Sequence, residues 1–537
     1  MPGSASTPDF PPAVRAGYGV VAVLLGLTGG LGSALVTVNL GAIQGELALD
    51  PVQGAWLSAA YVMVYISMNL LLVKYRQQFG LRRFVAVFLG AYATAAIAHL
   101  FTDSFASALV VRTVSGITGA ALTAATMFYM FQALPPRFKM QALLLGIGIS
   151  QLGIPLTRII SPELLDVGDW HRVYALEAGL ALTCLAGITL FRVPPGIRIH
   201  VFEPRDAPSF VLLSGGFALL VAAVSLGRVS WWFDAAWIGW ALAGAVVLIA
   251  VAAVLEHYRT NPLIDTRWLV QPGFLRFAIS ILVARMLLSE QAYAAPGLLQ
   301  ALGMGPDQMR GLFTVVLLAS IAGLVVAPFS LLISPKLIVV QAVLALALIA
   351  VGAFMDAHAT VETHPANFYV SQGLIGFAST LFICSITMLG IGQLLQRGFQ
   401  SMVTFTMVQG VTQILGGVLG SALLSTFQAI RLQHHMGYLA DHLTASDPQI
   451  AWGLQAYGRA IAPAVTDPVL RTANGVQALG QATAQQATVL AYNDVFMLIG
   501  VIASIQLVLS IFLLGRAARA GRLMPAPPAP APAPAST

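Results

Sequence analysis

The sequence predicts an all-α polytopic membrane protein with fourteen transmembrane helices, and three observations carry that expectation. Of 537 residues, 58% are hydrophobic and only 9% are charged, too few to keep the surface of a soluble protein of this size wet. The apolar residues fall in runs of about twenty, the length that crosses a bilayer. The basic residues sit singly or in short groups between those runs. They form no stripe, so the net charge of +6 reads as a topology signal, and nucleic acid is excluded as a partner.

Taken in order, the candidate spans are Tyr18 to Ile43, Ala55 to Val73, Phe84 to Phe101, Ser107 to Phe131, Gln141 to Ser161, Val173 to Phe191, Ser209 to Leu226 and Ala236 to Leu255. The second half adds Phe277 to Leu298, Gly311 to Ile333, Leu337 to Met355, Phe368 to Ile391, Ser401 to Phe427 and Val489 to Leu514. Residues 1–17 lack the basic n-region and small-residue cleavage pattern of a signal peptide, and the run after them is too long for one, so the first span is expected to be retained. An even count puts both termini on one side. Placing them in the cytoplasm gives that side Arg15, Lys74, Arg76, Arg82, Arg83, Arg137, Lys139, Arg192, Arg198, Arg205, Arg259, Arg267, Arg276, Lys336, Arg397, Arg516, Arg519 and Arg522, a clear positive-inside bias.

Nearly all the loops are short; Gln428 to Thr488 is the exception. Its stretches IRLQHHMGYLADHL and QIAWGLQAYGRAI carry apolar residues at helical spacing, which predicts short helices resting on the membrane surface or contacting a partner. Residues 515–537 end in a proline-alanine repeat that cannot form a core and is expected to be a disordered cytoplasmic tail. Cys184 and Cys384 both lie in apolar runs, which supports neither a disulfide nor a metal site. His434, His435 and His442 have no cysteine or carboxylate set beside them, and adjacent histidines diverge on a helix, so no metal is predicted. Without HExxH, GxxxxGK[ST] or GxSxG there is no case for an enzyme.

Several stretches carry a family likeness. LGSALVTVNLGAIQGEL, Leu31 to Leu47, is similar to LDxTIVNVALPxIxxDL, and ALDPVQGAWLSAAYVM to SPxQxxWVxTAYxL. VKYRQQFGLRR, Val73 to Arg83, occupies the place of a GxLaDrxGrrr loop through Arg76, Gly80, Arg82 and Arg83. RTVSGITGAA, which opens with Arg112 and contains Gly116 and Gly119, is similar to RxxQGxGaA. GIGISQLGIPLTRIISP keeps Gly146, Gly148, Gly153 and Pro155 of a fifth-span GPxxGG motif. QGVTQILGGVLGSALLSTF, the long loop and QATVLAYNDVFML follow in family order. The chain thus resembles the major facilitator superfamily, and within it the fourteen-span drug:proton antiporters of the EmrB/QacA (DHA2) type.

That resemblance implies an N-terminal six-helix bundle at 18–193, two inserted helices at 209–255 and a C-terminal bundle at 277–514 containing the 428–488 loop, around a central cavity that opens alternately to either side. It implies a bacterial inner-membrane exporter of small amphipathic or lipophilic compounds, driven by the proton gradient without a cofactor, in contact with membrane lipid and working with a periplasmic adaptor and outer-membrane channel. The departures matter as well. Gly32 stands where the family often has an acid, Gly41 replaces proline, Gln77 replaces aspartate, Ser115 replaces glutamine, and Arg158 is added. A facilitator or symporter for a metabolite or siderophore is the alternative these favour. A non-transporting scaffold or receptor using the long loop is a third reading.

A charge inside a span costs roughly 3 kcal/mol on insertion scales, so each needs a partner, water or a function. Arg112, Arg158 and Glu177 fall at similar depth on the fourth, fifth and sixth spans, so they could form one charged cluster that exchanges protons through Glu177. The alternative is an interfacial pair of Arg158 and Glu177. In the ninth span Arg285 and Glu290 are offset by about 140° and are expected not to pair. Glu290, followed by Gln291 and Tyr293 and facing the cavity by resemblance, is the leading proton-coupling candidate, against a structural charge. Trp56, Tyr61, Tyr65, Met68 and Asn69 at near-helical spacing, with Met127, Phe128, Met130 and Phe131, suit a pocket for bulky compounds or else ordinary packing. Gln151, Gln409 and Gln413 are open in the same way.

Overall fold

The computed structural model describes residues 10–165, 171–195, 198, 200–398, 401–443, 447–460 and 467–519. The start of the N-terminal segment and the proline-alanine repeat, 1–9 and 520–537, lie outside the described residues. Among the described residues fourteen helices are long and apolar enough to cross a membrane: Pro12–Val38, Pro51–Phe79, Leu81–His99, Phe105–Ala133, Pro136–Leu165, His171–Leu190, Asp206–Gly227, Ala236–His257, Pro272–Ala301, Pro306–Leu332, Leu337–Asp356, Pro365–Arg397, Met402–His442 and Pro468–Arg516. They are called spans one to fourteen below. With fourteen crossings the start of the first span, Pro12, and the end of the last, Arg516, lie on one face, the terminal face; the other is the loop face.

The helix limits follow from local chemistry. Span two begins with Pro51 behind an Asp50 cap that accepts from Gln53 N at 2.7 Å, a capping box. Span four is capped by Ser104 and Ser107 in the same way. Span two stops at Gly80, whose φ of +86° is open to glycine, and span three starts at the next residue. Span five is interrupted by a 3-10 turn at Ile149–Leu152, and span nine by a π turn at Glu290–Ala294.

Span one packs against four, five and six, span two against four, and span three against four and six, which makes the first six-helix bundle. Nine packs on thirteen, ten on twelve, eleven on twelve and fourteen, and thirteen on fourteen, which makes the second. Close approach depends on small residues. A Cβ on Gly153 would sit 2.4 Å from the carbonyl carbon of Gly30, so spans one and five touch backbone to backbone. The inserted spans seven and eight pair with each other, and seven lies along span two and also touches thirteen, covering one side of the seam between the bundles.

The seam is closed along its depth. On the loop side Arg310 pairs with Glu163 at 2.9 Å and Arg158 Nη2 donates to Ala292 O at 3.5 Å. At mid-depth Arg285 Nη1 donates to Gln151 Oε1 at 3.1 Å. On the terminal side Gln141 Nε2 donates to Pro328 O at 3.5 Å and the rings of Phe138 and Phe329 meet at 6.2 Å.

One expected element differs. QIAWGLQAYGRAI forms the expected short helix, Pro448–Ala460, packed on the last helix, which begins already at Pro468, whereas IRLQHHMGYLADHL is no separate helix: span thirteen continues unbroken to His442. Periodicity identified helices here, but the polar residues hid their continuity with the spans. Arg431 and His435 hold Asp494 at 2.5 and 2.7 Å, fixing the two long helices together where they leave the apolar zone. His442 Nδ1 lies 2.7 Å from Tyr438 O on its own helix.

Candidate functional site

In the first bundle Arg112 is 1% exposed. Its Nη1 donates to Gly32 O at 3.0 Å, and its guanidinium lies 4.4 Å from the centroid of the Tyr61 ring. Tyr61 reaches this place because span four offers glycine: added methyls on Gly116 and Gly119 would each lie 2.4 Å from Tyr61 atoms. Glu177, also 1% exposed, accepts from Tyr92 Oη at 2.7 Å and meets His99 Nδ1 at 3.3 Å. The His99 ring stacks on Tyr174 at 4.5 Å. Gly32 is the hinge of this centre. Its carbonyl faces Arg112, and a Cβ on it would lie 2.2 Å from Tyr92 Oη and 3.3 Å from Glu177 Oε1. The space that a side chain on span one would enter is thus filled first by the Tyr92 hydroxyl of span three, with the Glu177 carboxylate of span six behind it.

The three-charge cluster expected from depth alone does not form. Arg158 turns away from Arg112 and Glu177 toward the second bundle, over Phe313 at 4.9 Å. Depth fixes height along a helix and says nothing of the face. Gln151, Ile154 and Arg158 recur at three and four residues, one face of span five, and that spacing was the available signal.

In the second bundle Arg285 and Glu290 do not pair, in line with their angular offset. Arg285 donates to Gln413 O and Gln151, while Glu290, 0% exposed, accepts from Gln372 Nε2 at 2.6 Å. The same nitrogen lies 2.7 Å from Asp356 Oδ2, so one amide bridges two buried carboxyls from spans nine and eleven. Glu290 therefore points into its bundle rather than into the seam. Gln291 bonds to Gln372 O at 3.1 Å and Tyr293 packs near Tyr492 at 6.2 Å, so neither joins the span-two aromatics. Of that set Tyr65 reaches Thr123 at 3.4 Å, Met68 is half-buried, and Asn69 lies beside Gly410 of span thirteen. Trp56 stacks with Trp237 of inserted span eight at 6.2 Å. Gln409 donates to Thr387 at 2.6 Å. Sequence reasoning missed His99, Tyr92 and Asp356; His99 and Asp356 are the last residues of their helices.

Among the loop residues singled out, Arg76 lies 4.7 Å from the Phe128 ring, Arg82 donates to Val193 O at 3.4 Å, and Arg83 is exposed. Pro155 is buried beside Gly153. Lys74, counted from sequence among the cytoplasmic-side topology charges, is buried against Asp206 at 2.7 Å. Arg259 joins Asp206 at 2.9 Å, Glu203 at 3.1 Å and Glu256 at 2.7 Å. Burial works against the Arg259 charge, but the hydrogen bonds it donates to Glu256 and Asp206 raise its pKa above the ordinary guanidinium value. Hydrogen bonds from Asn261 and Arg259 hold Glu203 below the usual carboxylate range. Asp265 continues the network to Arg397 at 3.2 Å and to Thr404, so span two, the inserted pair and the second bundle are tied together at the terminal face.

Two bundles with a closed seam and charged centres buried in each define a membrane transporter. Residues 22–417 match the model of the Major Facilitator Superfamily, and the chain belongs to that family. It is 25% identical to the puromycin resistance protein pur8 of Streptomyces alboniger, over 84% of this chain and 89% of the relative. It is 22% identical to the uncharacterised MFS-type transporter YhcA of Bacillus subtilis, over 79% of each, and 25% identical to the tetracenomycin C resistance and export protein of Streptomyces glaucescens, over 43% of each. Among solved structures, the human organic anion transporter MFSD10 superposes with a TM-score of 0.56 at 14% identity, over 92% of this chain and all of that one. The peptide transporter POT with sulfate gives 0.56 at 15%, over 97% and 98%. At these identities the structural likeness shows the fold alone.

Proposed function

We propose that this transporter is a DHA2-type exporter of small amphipathic or lipophilic compounds, working by alternating access and exchanging its substrate for protons. The observation that carries the reading is Glu177, buried with His99, Tyr92 and the nearby Arg112 in the space left by Gly32. A carboxyl set among a histidine, a tyrosine and an arginine inside a bundle is a proton-exchange centre whose affinity changes when the helices around it shift. The Glu290–Asp356 pair is the corresponding centre of the second bundle: two carboxyls bridged by one amide, with no basic side chain bonded to either among the described residues. Arg112 positions Glu177, and Arg76, Gly80, Arg82, Arg83 and Gly153 serve the rocking of the bundles. Tyr65, Met68 and Asn69 near the seam are the substrate contacts; Tyr61 belongs to the Arg112 centre, and Gln291 and Tyr293 brace the second bundle. The relatives named for resistance and export support this direction of transport.

In this reading the chain lies in a bacterial inner membrane with the terminal face in the cytoplasm, and the projecting helices are available to a periplasmic adaptor and its outer-membrane channel. The test is a susceptibility panel in an efflux-deficient host. Wild type is expected to raise resistance to some compounds, and Glu177→Gln, at equal membrane abundance, to lose it. Sensitisation by wild type would favour uptake and overturn the export reading.

A further inference from the structure

The seam carries two arginines that the proton centres do not use. Arg285 stands at mid-depth in span nine and is only half-buried, although Glu290, five residues on, is fully buried. Its partners are neutral: the Gln151 side-chain oxygen at 3.1 Å and the Gln413 carbonyl at 3.4 Å. Arg158, also half-buried, has the Ala292 carbonyl at 3.5 Å and the Phe313 ring, while its Nε has no hydrogen-bond partner. Neither forms an ion pair among the described residues. Gln151 to Arg158 and Arg285 to Ala292 are both seven-residue steps, so the guanidinia lie about 10 Å apart along the bundle. Between them Ile154, 38% exposed, presents an apolar wall. The acids of the neighbouring spans are engaged elsewhere: Glu163 with Arg310, Glu177 with His99, Glu290 and Asp356 with Gln372.

A guanidinium at depth is stable when an anion neutralises it; neutral acceptors orient the group and leave the charge. Arginine also presents a flat fork suited to carboxylate and sulfonate oxygens. We infer that the substrate is an amphipathic organic anion, its acidic group seated on Arg285 with its apolar body against Ile154, and that Arg158 receives the anion as it moves toward the loop face. This rests on the transport reading above and names the substrate class of that pathway.

The test is equilibrium binding to the purified full chain in lipid nanodiscs, with no gradient present. The probes are radiolabelled taurocholate, salicylate and fluorescein as anions and tetraphenylphosphonium as the cation. Saturable binding of at least one anion is expected, weakened at least about tenfold by Arg285→Gln, less by Arg285→Lys, and also weakened by Arg158→Gln, with unchanged melting as the folding control. Saturable binding of tetraphenylphosphonium alone, of no anion, or anion binding indifferent to both glutamine variants overturns the inference. Intact anion binding without any gradient-driven movement would instead sink the transport reading and leave the anion site standing.

Discussion

Arg112 and Glu177 should be energetically coupled although they share no hydrogen bond. Arg112 Nη1 is 3.0 Å from Gly32 O, and Glu177 Oε1 is 3.3 Å from the Cβ position of the same glycine, so the charges face each other across one residue. Two opposite charges about 5–10 Å apart at an effective dielectric constant of about 20 attract by roughly 2–3 kcal/mol. Arg112→Ala leaves Glu177 buried with only Tyr92 and His99. Glu177→Gln leaves Arg112 buried without a countercharge. Each is expected to cost about 3–5 kcal/mol. The double variant, with neither charge, should cost less than the sum by about 2–3 kcal/mol. Equilibrium unfolding in mixed micelles of all four proteins measures the cycle. Losses that add to within about 0.5 kcal/mol would refute electrostatic coupling at this centre.

Gly32→Ala should displace Tyr92 and cost about 1–3 kcal/mol in the same unfolding measurement, because the new methyl enters the Tyr92–Glu177 hydrogen bond. At the terminal face, Asp206→Asn leaves Lys74 and Arg259 short of a shared anion and should cost about 3 kcal/mol or more. Arg397→Ala, at an exposed pair, should cost about 1 kcal/mol or less. Glu203 is more acidic in the folded protein than when unfolded, so its contribution is complete above the ordinary carboxylate value and fades as pH falls through its depressed one. The melting temperature of wild type should therefore drop on acidification more than that of Glu203→Gln. If an anion leaves as a proton enters, two positive charges move inward per cycle, and 100 mV, negative inside, adds about 4.6 kcal/mol. A valinomycin-set potassium potential should then accelerate exchange in proteoliposomes.

Much of the fold was legible because bilayer thickness dictates run length: all fourteen spans followed from hydropathy, with ends that shifted where caps such as Asp50 and Ser104 decide them. The loop-side helices beyond Phe427 were visible as periodicity but not as extensions, since polar residues end a hydropathy run without ending a helix. Within the site, Arg112, Glu177, Arg285 and Glu290 stood out because charge in an apolar run is conspicuous. Their partners did not. His99 is 78 positions before Glu177 and Asp356 is 66 after Glu290, and no local spacing links residues that meet only after the helices pack. Lys74 misled for the same reason: a basic residue near a span end reads as a topology charge until Asp206 arrives beside it.

The central claim, proton-coupled transport, is met most directly by imposing a pH gradient across proteoliposomes and following substrate and internal pH together. Wild type should drive substrate against its gradient with proton movement in the opposite direction, and both should vanish together in Glu177→Gln. Substrate movement without a proton signal, or unchanged coupling in that variant, would contradict it.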